Sequence, residues 1–162
     1  MEWMLPCLYA FLGCGAFCFI FELRRWWYIL SASATGAVAW LVYLSLSNLT
    51  DVNRYLLATI AAAILSEIFA RLYKTPATVF LIIGIIPLVP GGGIYYTMEA
   101  LINGDLPLFV RYGMETAASA GAIAVGCSLV SSVSRLIAAV RRRSAGKGQT
   151  VFPGNDSSDG NA

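Results

Sequence analysis

Ala77 to Met98 reads ATVFLIIGIIPLVPGGGIYYTM, an apolar run long enough to cross a bilayer, whose middle holds Pro87, Pro90 and the successive glycines Gly91, Gly92 and Gly93. Proline removes a backbone donor and clashes with the preceding turn, and glycine loses backbone entropy in a helix, so an unbroken helix is not expected here. Hydrocarbon offers the freed polar groups no partner, and irregular backbone persists at membrane depth only inside protein or beside a watery cavity. The stretch therefore predicts a broken helix at a transport site.

The rest of the chain gives that break a membrane setting. Its 162 residues are 58% apolar and 12% charged, and mean hydropathy is +0.70, which leaves too little polar surface for a soluble globule. A spanning helix needs roughly 20 mostly apolar residues. Five such segments are expected: Trp3–Phe21, Trp27–Leu46, Arg54–Tyr73, Ala77–Asn103 with the break inside it, and Tyr112–Val140. The expected fold is thus an all-α integral membrane protein with five transmembrane helices, the fourth broken. The first segment has no basic leader and is read as a retained helix rather than a signal peptide. A net charge of +2 gives no reason to expect nucleic acid as a partner.

Charge placement sets the orientation. Arg24 and Arg25, then Arg71 and Lys74, then Arg141, Arg142, Arg143 and Lys147 fall on alternate connections and so on one side. The other side carries Glu2, Asp51 with Arg54, Glu99, Asp105, Arg111 and Glu115. The positive-inside rule then predicts an outer N-terminus and a cytoplasmic C-terminus. A re-entrant hairpin over Ala77–Met98 would place Arg141–Arg143 opposite Arg24, Arg25 and Lys74, so a complete crossing fits better. Trp3, Trp26, Trp27, Tyr28, Tyr43, Tyr55 and Tyr73 lie near segment ends, where amphipathic rings prefer the headgroup layer, whereas Trp40 is expected to pack inside the bundle.

Cys7, Cys14, Cys18 and Cys127 lie within apolar segments, without a CxxC pair or any histidine, so they read as small helix-contact residues and neither metal nor cofactor is expected. Ala58, Ala62, Ser66 and Ala70 form one stripe of small residues, and Ala118, Ala122 and Gly126 another; both are read as packing faces. Residues 1–143 make the expected transmembrane domain, and 144–162, rich in Gly, Ser, Asn and Asp, a disordered cytoplasmic tail. Asn48-Leu49-Thr50 matches a glycosylation acceptor, which matters only in a eukaryotic secretory pathway.

Ionisable groups within or beside hydrocarbon call for an explanation. Glu67 and Arg71 stand four residues apart on one helix face and can pair, either as a structural ion pair near the cytoplasmic interface or as a proton-coupling site. Glu99 and Glu115 read as solvated rim carboxylates, and Arg135 as a side chain reaching the headgroups. The specific motif is Ile86 to Met98. Its prolines free carbonyls on the first half-helix, and Gly91, Gly92 and Gly93 let amides at the positive start of the second half-helix face a carboxylate. Tyr95, Tyr96 and Thr97 add hydroxyls within a turn of the break. The alternative is a kink that only shapes packing.

At Lys74-Thr75-Pro76-Ala77-Thr78-Val79-Phe80, Ile86-Pro87-Leu88-Val89-Pro90-Gly91, Tyr95 and Met98, the chain resembles the threonine/serine exporter family, and more narrowly the short five-helix subunit of its split members. The specific part is Pro76 to Met98; Leu23 to Arg143 is compatible in architecture. The resemblance implies a larger partner subunit with a cytoplasmic soluble region and five helices of its own, absent from this sequence. Two halves of opposite orientation would form an inverted repeat. It also implies export of threonine, serine or small dicarboxylates such as succinate, hence a small carboxylate-bearing solute, in a bacterial inner membrane.

These readings converge on a non-enzymatic membrane subunit of a proton-coupled exporter, with Pro87 to Gly93 as the pathway break, Tyr95 and Thr97 at the solute and Glu67 as the proton-sensitive group. The competing reading is a structural subunit that stabilises a larger transporter without touching solute. An enzyme is disfavoured by the lack of histidine, of a Gly-x-Ser-x-Gly elbow and of paired intramembrane aspartates.

Overall fold

Helices form over the apolar runs and stop where proline, glycine or a polar cap interrupts them. The structure, a computed structural model, describes residues 4–22 and 25–146, the side chains of 141–146 excepted. Six α-helices and no strand lie among the described residues: α1 (Met4–Ile20), α2 (Trp26–Ser45), α3 (Asp51–Tyr73), α4 (Ala77–Ile85), α5 (Gly91–Ile102) and α6 (Leu106–Gly146). A 3-10 turn, Ile86–Leu88, follows α4. Glu2, Trp3, Arg24, Lys147 and the expected tail from 147 onward lie outside the described residues.

The all-helical expectation holds, while fewer than five helices among the described residues are long and apolar enough to span. α2, α3 and Leu106–Val140 of α6 can each cross a membrane. Ala77–Leu88 and Gly91–Ile102 qualify only together, bent by 48° at the break. α1 has 17 residues, about 26 Å of helix against a hydrocarbon core of roughly 30 Å, so it falls short. Among the described residues the count is three, or four with the bent pair, by length and composition, where five were expected.

α6 starts before the expected Tyr112 because the Asp105 carboxylate accepts the Leu108 amide at 3.2 Å and caps the first turn. At the other end of the chain's bend, Lys74 takes a left-handed φ of 53°, its amide and that of Thr75 both donate to the Ala70 carbonyl, and Pro76 follows. That ends α3 and reverses the chain within three residues, 74–76.

Small residues, several of them hydroxylated, fill much of the interior, while many large apolar side chains face outward. Ser31, Ser33, Thr35, Thr59, Ser66 and Ser119 are buried, while Phe19, Ile20, Trp26, Ile68, Ile102 and Leu136 are exposed. Small residues let helix backbones approach closely, and large apolar ones face a lipid-like exterior. The expected stripe Ala58, Ala62, Ser66 and Ala70 is buried throughout. On α6 the inward row is Ser119, Ala122 and Gly126, and Ala118 faces out.

α2 and α3 form the centre, with α1 on α2, α4 between α2 and α3, and α6 along α3. The bend carries α5 away from that centre onto α6. Tyr28, Phe69, Tyr73 and Phe80 clasp the start of α4, with ring centroids 5.0 to 6.3 Å apart. Trp40, expected inside the bundle, is half-buried and stacked on Tyr43 at 5.3 Å.

Candidate functional site

Pro87 has no N–H, so the Ile83 carbonyl four residues earlier loses its helical donor. Two groups replace it: the Ile86 amide, which tightens the helix into the 3-10 turn, and the thiol of Cys14 on α1, which donates at 3.4 Å. Pro90 frees the Ile86 carbonyl in the same way, and the Val89 amide takes it at 3.3 Å. The Gly91 amide then donates to the Val89 carbonyl at 2.7 Å. With Pro90 at φ −77° and ψ 59°, this is an inverse γ-turn. Helix resumes where Ile94 donates to the Pro90 carbonyl at 3.2 Å. The amides of Gly92 and Gly93, in the first turn of α5, have no hydrogen-bond partner among the described residues.

Beside that first turn is a cavity of about 380 Å³. The break contributes Pro90, Gly93 and Tyr96; the start of α3 contributes Asp51 and Tyr55; α6 contributes Tyr112, Glu115, Thr116 and Ser119. A Cβ at Gly93 would collide with the Thr116 hydroxyl, so glycine is what lets α5 lie this close to α6. Thr116 and Ser119 donate to the carbonyls of Tyr112 and Glu115 at 2.7 and 2.9 Å, and their hydroxyl oxygens keep acceptor capacity.

Both carboxylates in the lining are paired with arginines. Asp51 pairs with Arg54 at 2.8 Å and Glu115 with Arg111 at 3.2 Å. Arg54 is held further by the Tyr43 carbonyl at 3.3 Å and by the Tyr43 ring, 4.2 Å below its guanidinium carbon. The lining itself thus carries two carboxylates, each paired to an arginine behind it, among phenols and hydroxyls, a surface that suits the ammonium end of a small zwitterion.

Not every residue singled out from the sequence reaches this cavity. Pro90, Gly93 and Tyr96 do. Gly91 and Gly92 are exposed at the break, and Tyr95 is 66% exposed with its ring edge-on to Tyr96 at 5.5 Å. The Thr97 hydroxyl donates to the Gly93 carbonyl at 2.7 Å. Pro87 lies on the opposite flank, in a groove with Pro6, Tyr9, Ala10 and Trp40. Tyr55, Tyr112, Thr116 and Ser119 were not anticipated. The spacing of Tyr112, Glu115, Thr116 and Ser119 marks one polar face of α6 and was the available signal.

Glu67 lines a second cavity of about 210 Å³, with Ala63 and Ser66 of α3, Ala77, Thr78 and Leu81 of α4, and Val130, Ser131 and Arg135 of α6. Its carboxylate is 3.9 Å from Arg71, whose side chain is half exposed. Arg135, expected only to reach for headgroups, shares this cavity with Glu67.

The two cavities give the helices a direction. The start of α3 and the early part of α6 line the first, and later parts of both line the second, so α3 and α6 run parallel. Between them the α4–α5 pair returns from the second cavity to the first.

Searches of curated proteins and of solved structures returned no match to this chain. A family model described as "Threonine/Serine exporter, ThrE" matches residues 6–133, which include all of α2 to α5, the break and every residue lining the first cavity. With most of its length matched, this chain belongs to the threonine/serine exporter family.

Proposed function

We propose that the chain is a membrane subunit of a secondary transporter in the bacterial plasma membrane, exporting threonine, serine or small dicarboxylates such as succinate. The observation that carries this reading is the pair of unpartnered amides at Gly92 and Gly93, with Gly93 in the wall of the larger cavity. Those amides sit at the positive end of α5 and seat the solute carboxylate. Asp51 and Glu115 at the mouth suit an ammonium group, and Tyr96 orients the solute.

In this reading the chain crosses the membrane five times, with α1 as the short span and α4–α5 as one broken crossing. The return of α4–α5 from one cavity to the other supports a crossing over a hairpin. The basic residues Arg25, Arg71, Lys74 and Arg141–Arg143 then face the cytoplasm. Glu67, beside Arg71 and Arg135, exchanges the coupling proton, and residues 1–143 act as one membrane domain. A larger subunit of the same family completes the transporter as an inverted repeat.

The test is flux of labelled serine, threonine and succinate in proteoliposomes under an imposed proton gradient, with this chain alone and with its larger partner. Gradient-dependent flux only with both chains is expected. Flux from this chain alone would replace the partner with a homo-oligomer, and none in either case would remove the export reading.

A further inference from the structure

Hydroxyl groups within the described helices mostly donate to the carbonyl one turn back. Ser31, Thr35, Ser66, Thr97, Thr116 and Ser119 all do so, at 2.7 to 2.9 Å. Thr59 departs from the pattern. It is fully buried, and its Oγ1 has no hydrogen-bond partner among the described residues. A buried hydroxyl without a partner is unfavourable, and threonine in a helix has a rotamer that would supply the carbonyl, so the vacancy needs a reason.

Its position supplies one. Thr59 is four residues after Tyr55, which lines the first cavity, and four before Ala63, which lines the second. One helical turn, about 6 Å, separates it from each along the same face of α3. Its side chain faces Gly126 of α6: a Cβ placed there would lie 3.1 Å from both Cβ and Cγ2 of Thr59. Gly126 itself falls between Ser119 of the first cavity and Val130 of the second. Its helix neighbours Ala58 and Ala62 are fully buried in an apolar cluster with Leu88 and Ala39, against which Ile85 and Ile123 pack.

We propose that the Thr59–Gly126 contact is the closed gate of one passage joining the two cavities, and that the Thr59 hydroxyl finds its missing acceptor in the carboxylate of the passing solute when α3 and α6 part. This rests on the export reading above and adds the place where the path is shut. Leu88, from the 3-10 turn of the break, belongs to that cluster, so movement at the break reaches the helix turn that carries Thr59.

Two variants test it, in proteoliposomes holding the complete transporter and labelled serine. Thr59→Val keeps the shape and removes the hydroxyl. It is expected to assemble, to melt somewhat above the wild type because the unpaired hydroxyl is gone, and to raise KM for serine roughly tenfold, with Thr59→Ser restoring the wild-type KM. A KM unchanged in Thr59→Val would overturn the solute contact. The double variant Thr59→Cys with Gly126→Cys places two sulfur-bearing side chains slightly nearer than the Cβ separation of about 3.5–4.5 Å that a disulfide prefers. Oxidation is expected to link them and stop flux, and reductant to restore it; full flux in a linked protein would overturn the gate. Wild-type vesicles without flux would sink the export reading and the gate with it, whereas normal wild-type flux with unaffected variants would sink the gate alone.

Discussion

The thiol of Cys14 shows how a residue read as filler acquires a task. Its contact with the Ile83 carbonyl replaces half of what Pro87 removes, so the break is held from α1 and not only by its own backbone. Cys14→Ala should lower stability by about 0.5–1.5 kcal/mol, read as a lower melting temperature in detergent, while Cys14→Ser keeps a donor and most of that stability. Gly93 makes the complementary case. Gly93→Ala drives a methyl into the Thr116 hydroxyl and should destabilise the α5–α6 contact by about 1–3 kcal/mol, with Thr116→Ala beside it recovering most of the loss. The sequence marked Gly93 through its neighbours Pro90 and Gly92. It could not mark Cys14, because the partner stands 69 residues away on another helix.

Among the elements, the broken pair was the most legible, since two prolines without amides dictate where carbonyls go unmet. The cap on α6 was legible too, in Asp105 followed by Pro107 within the first turn, but the apolar run from Tyr112 drew the boundary inward. The polar wall facing α5 was hidden because it joins side chains from α3 and α6, whose parallel course is set by tertiary packing. At the break itself, a Cβ on Gly91 meets nothing within 4 Å and one on Gly92 only a Tyr96 ring carbon at 4.0 Å. The double variant Gly91→Ala with Gly92→Ala should therefore insert and fold normally, and even stiffen the start of α5. Serine flux should nonetheless fall, because the turn that presents the free amides loses freedom. Unchanged flux would show that backbone freedom at Gly91 and Gly92 is not needed for transport.

For the whole molecule, the orientation predicts three accessibilities. Asn48→Cys and Asn103→Cys should react with a membrane-impermeant maleimide added to intact cells, and Lys74→Cys only after the membrane is opened, each against the wild-type background. Labelling of positions 103 and 74 from the same side would turn the α4–α5 pair into a hairpin. The connections at either end of that pair are short: residues 74–76 tie it to α3 and residues 103–105 tie it to α6. Neither has slack to follow a large displacement. A strut pinned so closely at both ends can lengthen or shorten only by straightening or folding at its middle. The 48° angle is thus the joint of that arm, and how far α3 and α6 can separate is metered by how far Pro87 to Pro90 can unbend.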